Sequence, residues 1–133
     1  MRPRLPTVVL QHEMDDGGHH DWLLVEPDTA HQPDGLLWTA RVEPSSHDWA
    51  QRGTWLLKLV APHRRHYLTY EGPISGGRGR VVRVDKGWFR PMLWTKRRII
   101  IDLDLQNCQG CVEMCQIGAE CWQAVLRPAC SET

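Results

Sequence analysis

Long apolar runs are missing from this chain. No stretch approaches the roughly 18 consecutive apolar residues that a membrane-spanning helix needs. The opening Met1-Arg2-Pro3-Arg4-Leu5-Pro6 lacks the apolar core of a secretory signal and reads as a short, poorly ordered basic arm. These absences point to a cytoplasmic protein with no membrane partner. Net charge is missing too: 16 Lys and Arg stand against 16 Asp and Glu, which argues against indiscriminate adhesion to nucleic acid. There is one Phe and there are two Tyr against seven Trp, so the core should lean on indoles together with Val, Ile and Leu. Five cysteines, an odd number, fit a reducing compartment better than a disulfide framework.

What is there is one domain, 1–133, long enough to bury about two thirds of the surface of its unfolded chain. Its charges are unevenly placed. Residues 1–50 carry nine Asp or Glu and three Arg, whereas residues 51–100 carry twelve Lys or Arg and two acids. An acidic metal-binding side facing a basic side would show this asymmetry, and so would a solvated basic face. Short β-branched and aromatic runs separated by Gly, Pro and Asp recur along the chain: Thr7–Leu10, Trp22–Val25, Leu36–Val42, Trp55–Val60, Val81–Trp88, Trp94–Leu105, Cys111–Gln116 and Cys121–Leu126. They predict a mainly β fold, a small antiparallel β-barrel or sandwich of about seven or eight strands with little helix. Turns are expected at Gly17-Gly18, Asp85-Lys86-Gly87 and Gln109-Gly110, and one short helical turn capped by Ser45 or Ser46 and ended by Gly53.

Chemistry concentrates in Gln11-His12-Glu13-Met14-Asp15-Asp16-Gly17-Gly18-His19-His20-Asp21-Trp22. If Asp21 begins a strand, alternation puts His19 and Asp21 on one face and His20 on the other, and a hairpin returns His12 towards them. Two imidazoles and a carboxylate with coordination positions left over make the layout of a catalytic metal site; a solvated turn has the same composition. His31 and His47, in loops without ligand-type neighbours at metal spacing, read as surface residues.

A second stretch, Pro62-His63-Arg64-Arg65-His66-Tyr67-Leu68-Thr69-Tyr70-Glu71-Gly72-Pro73-Ile74-Ser75-Gly76-Gly77-Arg78, places His63 and Tyr67 four apart, on one face of a helical turn. Arg64, Arg65 and Arg78 supply guanidinium forks suited to phosphate oxygens. Ser75–Gly79 is a hairpin loop rather than a P-loop, having neither a Gly-Lys-Ser/Thr ending nor a helix after it.

Taken together, His12…His19-His20-Asp21 and His63-Arg64-Arg65-His66-Tyr67-Leu68-Thr69-Tyr70-Glu71-Gly72-Pro73-Ile74 resemble the 3′-phosphoesterase domain of bacterial and archaeal DNA ligase D, over about Thr7 to Trp88. The resemblance implies a barrel with its site in a crescent groove, and a divalent-metal-dependent hydrolase. The ion is typically manganese, with zinc or cobalt as other fitting ions. It implies removal of a terminal ribonucleoside and then the 3′-phosphate from DNA or RNA-primed DNA 3′ ends, beside a separate ligase or polymerase. Carried over, the metal ligands fall on His12, His19 and Asp21, and the phosphate-contacting pair on His63 and Tyr67. Two departures stand out: the interval from His12 to His19 is one residue longer than usual, and Leu23 occupies the place of a family arginine. Leu23 favours an alternative, a non-catalytic nucleic-acid-binding or scaffold module on the same fold; hydrolysis of a small phosphoester is a third reading.

The tail carries Cys108, Cys111, Cys115, Cys121 and Cys130. Convergent thiolates would make a second metal site. The alternation of Cys111–Gln116 instead predicts cysteines acting as small apolar residues on a strand ladder.

Overall fold

The computed structural model describes residues 2–15 and 17–130. Nine strands form one antiparallel sheet: β1 (Leu5–Met14), β2 (Gly17–Val25), β3 (Leu37–Glu43), β4 (Thr54–Leu59), β5 (Gly72–Pro73), β6 (Arg80–Trp94), β7 (Arg98–Leu105), β8 (Gln109–Gln116) and β9 (Cys121–Arg127). Eight of them run in the order β1-β2-β3-β4-β9-β8-β7-β6, and pairing of β1 with β6 closes the barrel. The ninth, β5, is an extra strand on the edge of β6. A single helical turn, α1 (Trp49–Arg52), and two 3-10 turns at Pro27–Thr29 and Arg65–Leu68 complete the elements. Among the described residues no helix is long and apolar enough to cross a membrane.

The strands follow from period-two patterning. In β7, Ile99, Ile101, Leu103 and Leu105 point inwards while Arg98, Asp102 and Asp104 are exposed. The barrel interior is rich in indoles, as the composition suggests. Trp22 meets Trp55 edge-to-face at 6.0 Å and Trp38 meets Trp122 at 5.7 Å, with Trp49 beside Trp55.

β1, β2 and β3 depart from the one-sided pattern, and that departure creates the site. Their inward residues, including Val9, Trp22, Leu24 and Ala40, join the barrel core. Their outward residues Val8, Leu10, Leu23, Val25 and Leu37 form a second buried cluster, covered by Tyr67, Leu68, Tyr70 and Ile74. The segment after β4 crosses back over the outside of the barrel. It is anchored where Leu37 and His63 exchange backbone hydrogen bonds of 2.8 and 3.2 Å.

Several boundaries differ from the sequence reading. Gly17 and Gly18 lie in β2, opposite Met14 and Glu13, so they are paired strand residues and not the turn; Asp16 lies outside the described residues. No turn forms at Asp85-Lys86-Gly87; β6 runs through it, with a register shift opposite Val9/Leu10. Asp85 is buried there because its carboxylate accepts the backbone N–H groups of Lys86, Gln106 and Asn107, and so it caps the β7–β8 turn. Trp94–Leu105 is broken at Thr95–Arg97, where the chain turns from β6 into β7, and Gln109-Gly110 begins β8 instead of forming a turn. Leu5 and Pro6 already belong to β1. Gly53 ends α1 with φ of 75°, but the N-cap residue is Asp48; Ser45 donates to the Val42 carbonyl instead.

Cysteine use needs a correction. Cys111 and Cys130 form a disulfide, where five free thiols were expected. Both are placed by the sheet: Cys111 lies in β8 beside Arg127 of β9, and the chain end beyond β9 folds back onto it. Cys115 and Cys121 sit on the ladder, and burial pushes the Cys108 thiol up to about 11. Among the described residues the cysteines form no metal-holding group.

Candidate metal centre

The outward face that buries Val8 and Leu10 continues along β1 to His12, and the face that buries Leu23 continues back along β2 to Asp21 and His19. Register fixes their meeting: His12 is directly opposite His19, and Leu10 is opposite Asp21. The strands approach closely here because Gly18 has no side chain; a Cβ would lie 2.8 Å from the His12 carbonyl oxygen. The rings of His12 and His19 are 4.9 Å apart, and His19 Nε2 is 3.2 Å from Asp21 Oδ2. His20 points the other way, towards Trp49, where burial and the neighbouring His19 hold it below its ordinary pKa.

One ligand atom from each of His12, His19 and Asp21 lies within 4.8 Å of the others. Two atoms each bound about 2.1 Å from one tetrahedral ion are about 3.4 Å apart, so side-chain adjustments of up to about 1.4 Å bring the set to bonding distance. The hydrogen bonding also fits. His12 Nε2 lies 2.7 Å from the Arg78 carbonyl, and a carbonyl only accepts, so Nε2 carries the proton and Nδ1 keeps its lone pair. Ligand histidines are commonly fixed in this way. Gly79 makes the contact possible: its φ is 82°, and a Cβ there would collide with the Glu13 carbonyl at 2.0 Å.

The same cavity, of about 630 Å³, is closed on its other side by His63, Arg64, Tyr67 and Arg78. Ala61, Pro62 and His63 all line it. His63 Nδ1 donates to the Ala61 carbonyl at 3.1 Å, leaving Nε2 to act as donor or acceptor towards a ligand. The His63 and Tyr67 rings are 5.5 Å apart, brought together by the 3-10 turn, and the Arg64 guanidinium is 5.9 Å from the Tyr67 ring.

Asp21 is the electrostatic centre. It is 4 % exposed, and burial raises its carboxyl from 3.8 to about 6, opposed by the charges of His63, Arg41 and His12. A carboxylate held in that state has more to gain from a cation than one already solvated.

The structure thus gathers His12, His19, Asp21, His63, Tyr67, Arg64 and Arg78 at one cavity. Arg65 is elsewhere: its guanidinium donates to the carbonyls of Gly35, Ala30 and Thr29, at 3.1, 3.3 and 3.1 Å, and pins the 27–35 loop to the crossing segment. Arg78 lines the cavity with its side chain folded back on Ser75, Nε donating to the carbonyl at 2.8 Å. Leu23 is fully buried in the outer cluster. The residue that sequence reasoning missed is Arg41. It pairs with Asp21 across β2 and β3, lines the cavity, and has its Nε buried without a hydrogen-bond partner. Its signal was the outward parity it shares with Leu37 and Thr39 on one strand. Compared with family models and with curated proteins, the chain matches none.

Proposed function

We propose that this protein is a divalent-metal-dependent phosphoesterase acting on nucleic-acid 3′ ends, removing a 3′-ribonucleoside or 3′-phosphate beside a separate ligase or polymerase. The observation that carries it is the meeting, at one cavity, of the His12-His19-Asp21 group with His63, Tyr67 and three arginines. A metal triad alone suits many chemistries, whereas Arg41, Arg64 and Arg78 around it suit a substrate carrying phosphate.

An ion held by His12 Nδ1, His19 and Asp21, manganese being the reading carried over and zinc or cobalt fitting the same donors, supplies Lewis-acid polarisation of a phosphate oxygen. The Arg41 and Arg64 guanidinium groups bind the remaining non-bridging oxygens and hold phosphorus facing the triad. Water adds to phosphorus as the bond to the leaving oxygen breaks; His63 Nε2 gives that oxygen a proton and takes back the one the water loses, and its Nδ1 bond to Ala61 keeps the ring oriented for both transfers. The Tyr67 hydroxyl hydrogen-bonds a phosphate oxygen.

A primer ending in one ribonucleotide or in a 3′-phosphate, incubated with the protein and manganese beside a His12→Ala control, tests the reading. End trimming that is lost in the control supports it. Binding without turnover would instead identify a non-catalytic module, the reading that buried Leu23 favours. Turnover of only a small phosphoester would remove the nucleic-acid substrate.

A further inference from the structure

We propose that a second cavity, beyond the 3-10 turn from the metal cluster, is a base-stacking subsite for single-stranded nucleic acid. One base lies on the Trp88 indole, and the adjoining phosphate is met by Lys86 and by Arg4, which the base displaces from the ring. The cavity measures about 580 Å³, with Pro6, Val8 and Leu68 beneath and Arg83, Lys86 and Trp88 around it. Its ligand class rests on the proposed function, but nothing in it requires turnover.

Trp88 is 39 % exposed, whereas Trp22, Trp38, Trp49, Trp55 and Trp122 are buried. An indole on the outer face of β6 is a large apolar surface left in water, and such surface marks interaction sites. A planar cation already covers it: the Arg4 guanidinium sits 4.3 Å from the ring centroid. A nucleobase is planar as well, and once it takes the ring face Arg4 is freed for a phosphate.

Arg4 lies over the ring and Lys86 lines the same cavity, while Asp104 pairs with Trp88 across β7. Arg83 and Lys86 also line an adjoining hollow with Glu71 and the buried Asp85, Glu71 accepting the Arg83 backbone N–H at 3.0 Å, so a phosphate is met by Lys86 and the released Arg4 rather than at the Glu71 side. Arg83 reaches the Leu68 carbonyl through Nη1 at 3.4 Å and leaves Nε buried without a partner. Apolar floor, stacking ring and cations together suit a base with its phosphate.

Position selects a strand over a free nucleotide. His12 pairs with Val81 at the metal end of β1 and β6, and Pro6 pairs with Trp88 at the other. Six residue steps along β1 separate them, about 20 Å at the rise of a strand. The turn at Arg65–Leu68 lies between, with Tyr67 lining the first cavity and Leu68 the second. A polymer passing along that turn engages both cavities; a mononucleotide engages one. A duplex, its bases stacked internally, offers no base face to the indole.

The test is fluorescence anisotropy with a labelled single-stranded DNA oligonucleotide, in EDTA, on His12→Ala protein, so that the metal cluster contributes nothing. Trp88→Ala should weaken binding about tenfold, within the range of base–aromatic stacking, and Trp88→Phe should retain most of it. Lys86→Ala, at an exposed side chain, should weaken binding alike for all sequences and reduce the salt slope by about 1. Parental affinity in both alanine variants overturns the proposal, as does equal binding of a duplex, or displacement of the oligonucleotide by AMP at equal concentration. Failed end trimming with Trp88-dependent binding intact removes the phosphoesterase reading alone. Trimming with no dependence on Trp88 or Lys86 removes this subsite alone.

Discussion

Replacing Asp21 by asparagine should make the metal-free protein more stable while abolishing its response to metal. Asp21 is buried, and its carboxyl is raised from 3.8 to about 6. Below about pH 3 both folded and unfolded chains hold the proton and the site costs nothing. As pH rises from about 3.8 to 6 the unfolded chain releases a proton that the folded one keeps, so stability falls through that window and then levels off. At 1.36 kcal/mol per pH unit, a difference of about 2.2 amounts to about 3 kcal/mol at pH 7.5 and about 1 kcal/mol at pH 4.5. Asparagine removes this cost but leaves a buried amide to satisfy, at about 1 kcal/mol. The net gain is then about 2 kcal/mol at pH 7.5, or about 8 °C for a chain of this size, and near zero at pH 4.5. Circular-dichroism melting in EDTA at the two pH values reads the difference directly. Adding manganese at about 100 times its Kd should raise the parent by about 2.7 kcal/mol and leave the variant unmoved. A variant that melts below the parent at pH 7.5 in EDTA, or a gap equal at both pH values, would refute the account of Asp21.

Arg41→Leu should lower kcat about a hundredfold on a 3′-phosphate primer, the scale of losing one preorganised donor to a phosphate oxygen. Arg41→Lys should recover part of that, since an ammonium restores charge but not the fork; equal rates for parent and Arg41→Leu would remove Arg41 from the site. Cys111–Cys130 closes a loop with a sequence separation of 19. Cys130→Ser should therefore cost about 3 kcal/mol of stability in the chain-entropy account, read as a lower urea midpoint. An unchanged midpoint would show that the pairing contributes nothing in solution.

The strands and the grouping of His12, His19 and Asp21 were legible because both depend on local alternation. Period two puts His19 with Asp21 and sends His20 inwards whatever the rest of the barrel does. What the sequence could not reveal is decided by partners far away in the chain. Asp85-Lys86-Gly87 has turn composition, yet the strand continues through it because Gln106 and Asn107, at the next hairpin, supply the N–H groups that a buried carboxylate needs. Arg65 resembles a phosphate ligand until the 27–35 loop brings three carbonyls to it. The same dependence on register explains Arg41. A wall of the cavity can be built from β2 or from β3, because Asp21 is opposite Arg41 and Leu23 is opposite Thr39. Residues 23 and 41 are therefore diagonal neighbours on the outer face, about 7–8 Å apart, within the reach of an arginine side chain. Leucine at 23 fills the outer core and arginine at 41 lines the cavity, so the guanidinium at this wall comes from β3 rather than from β2.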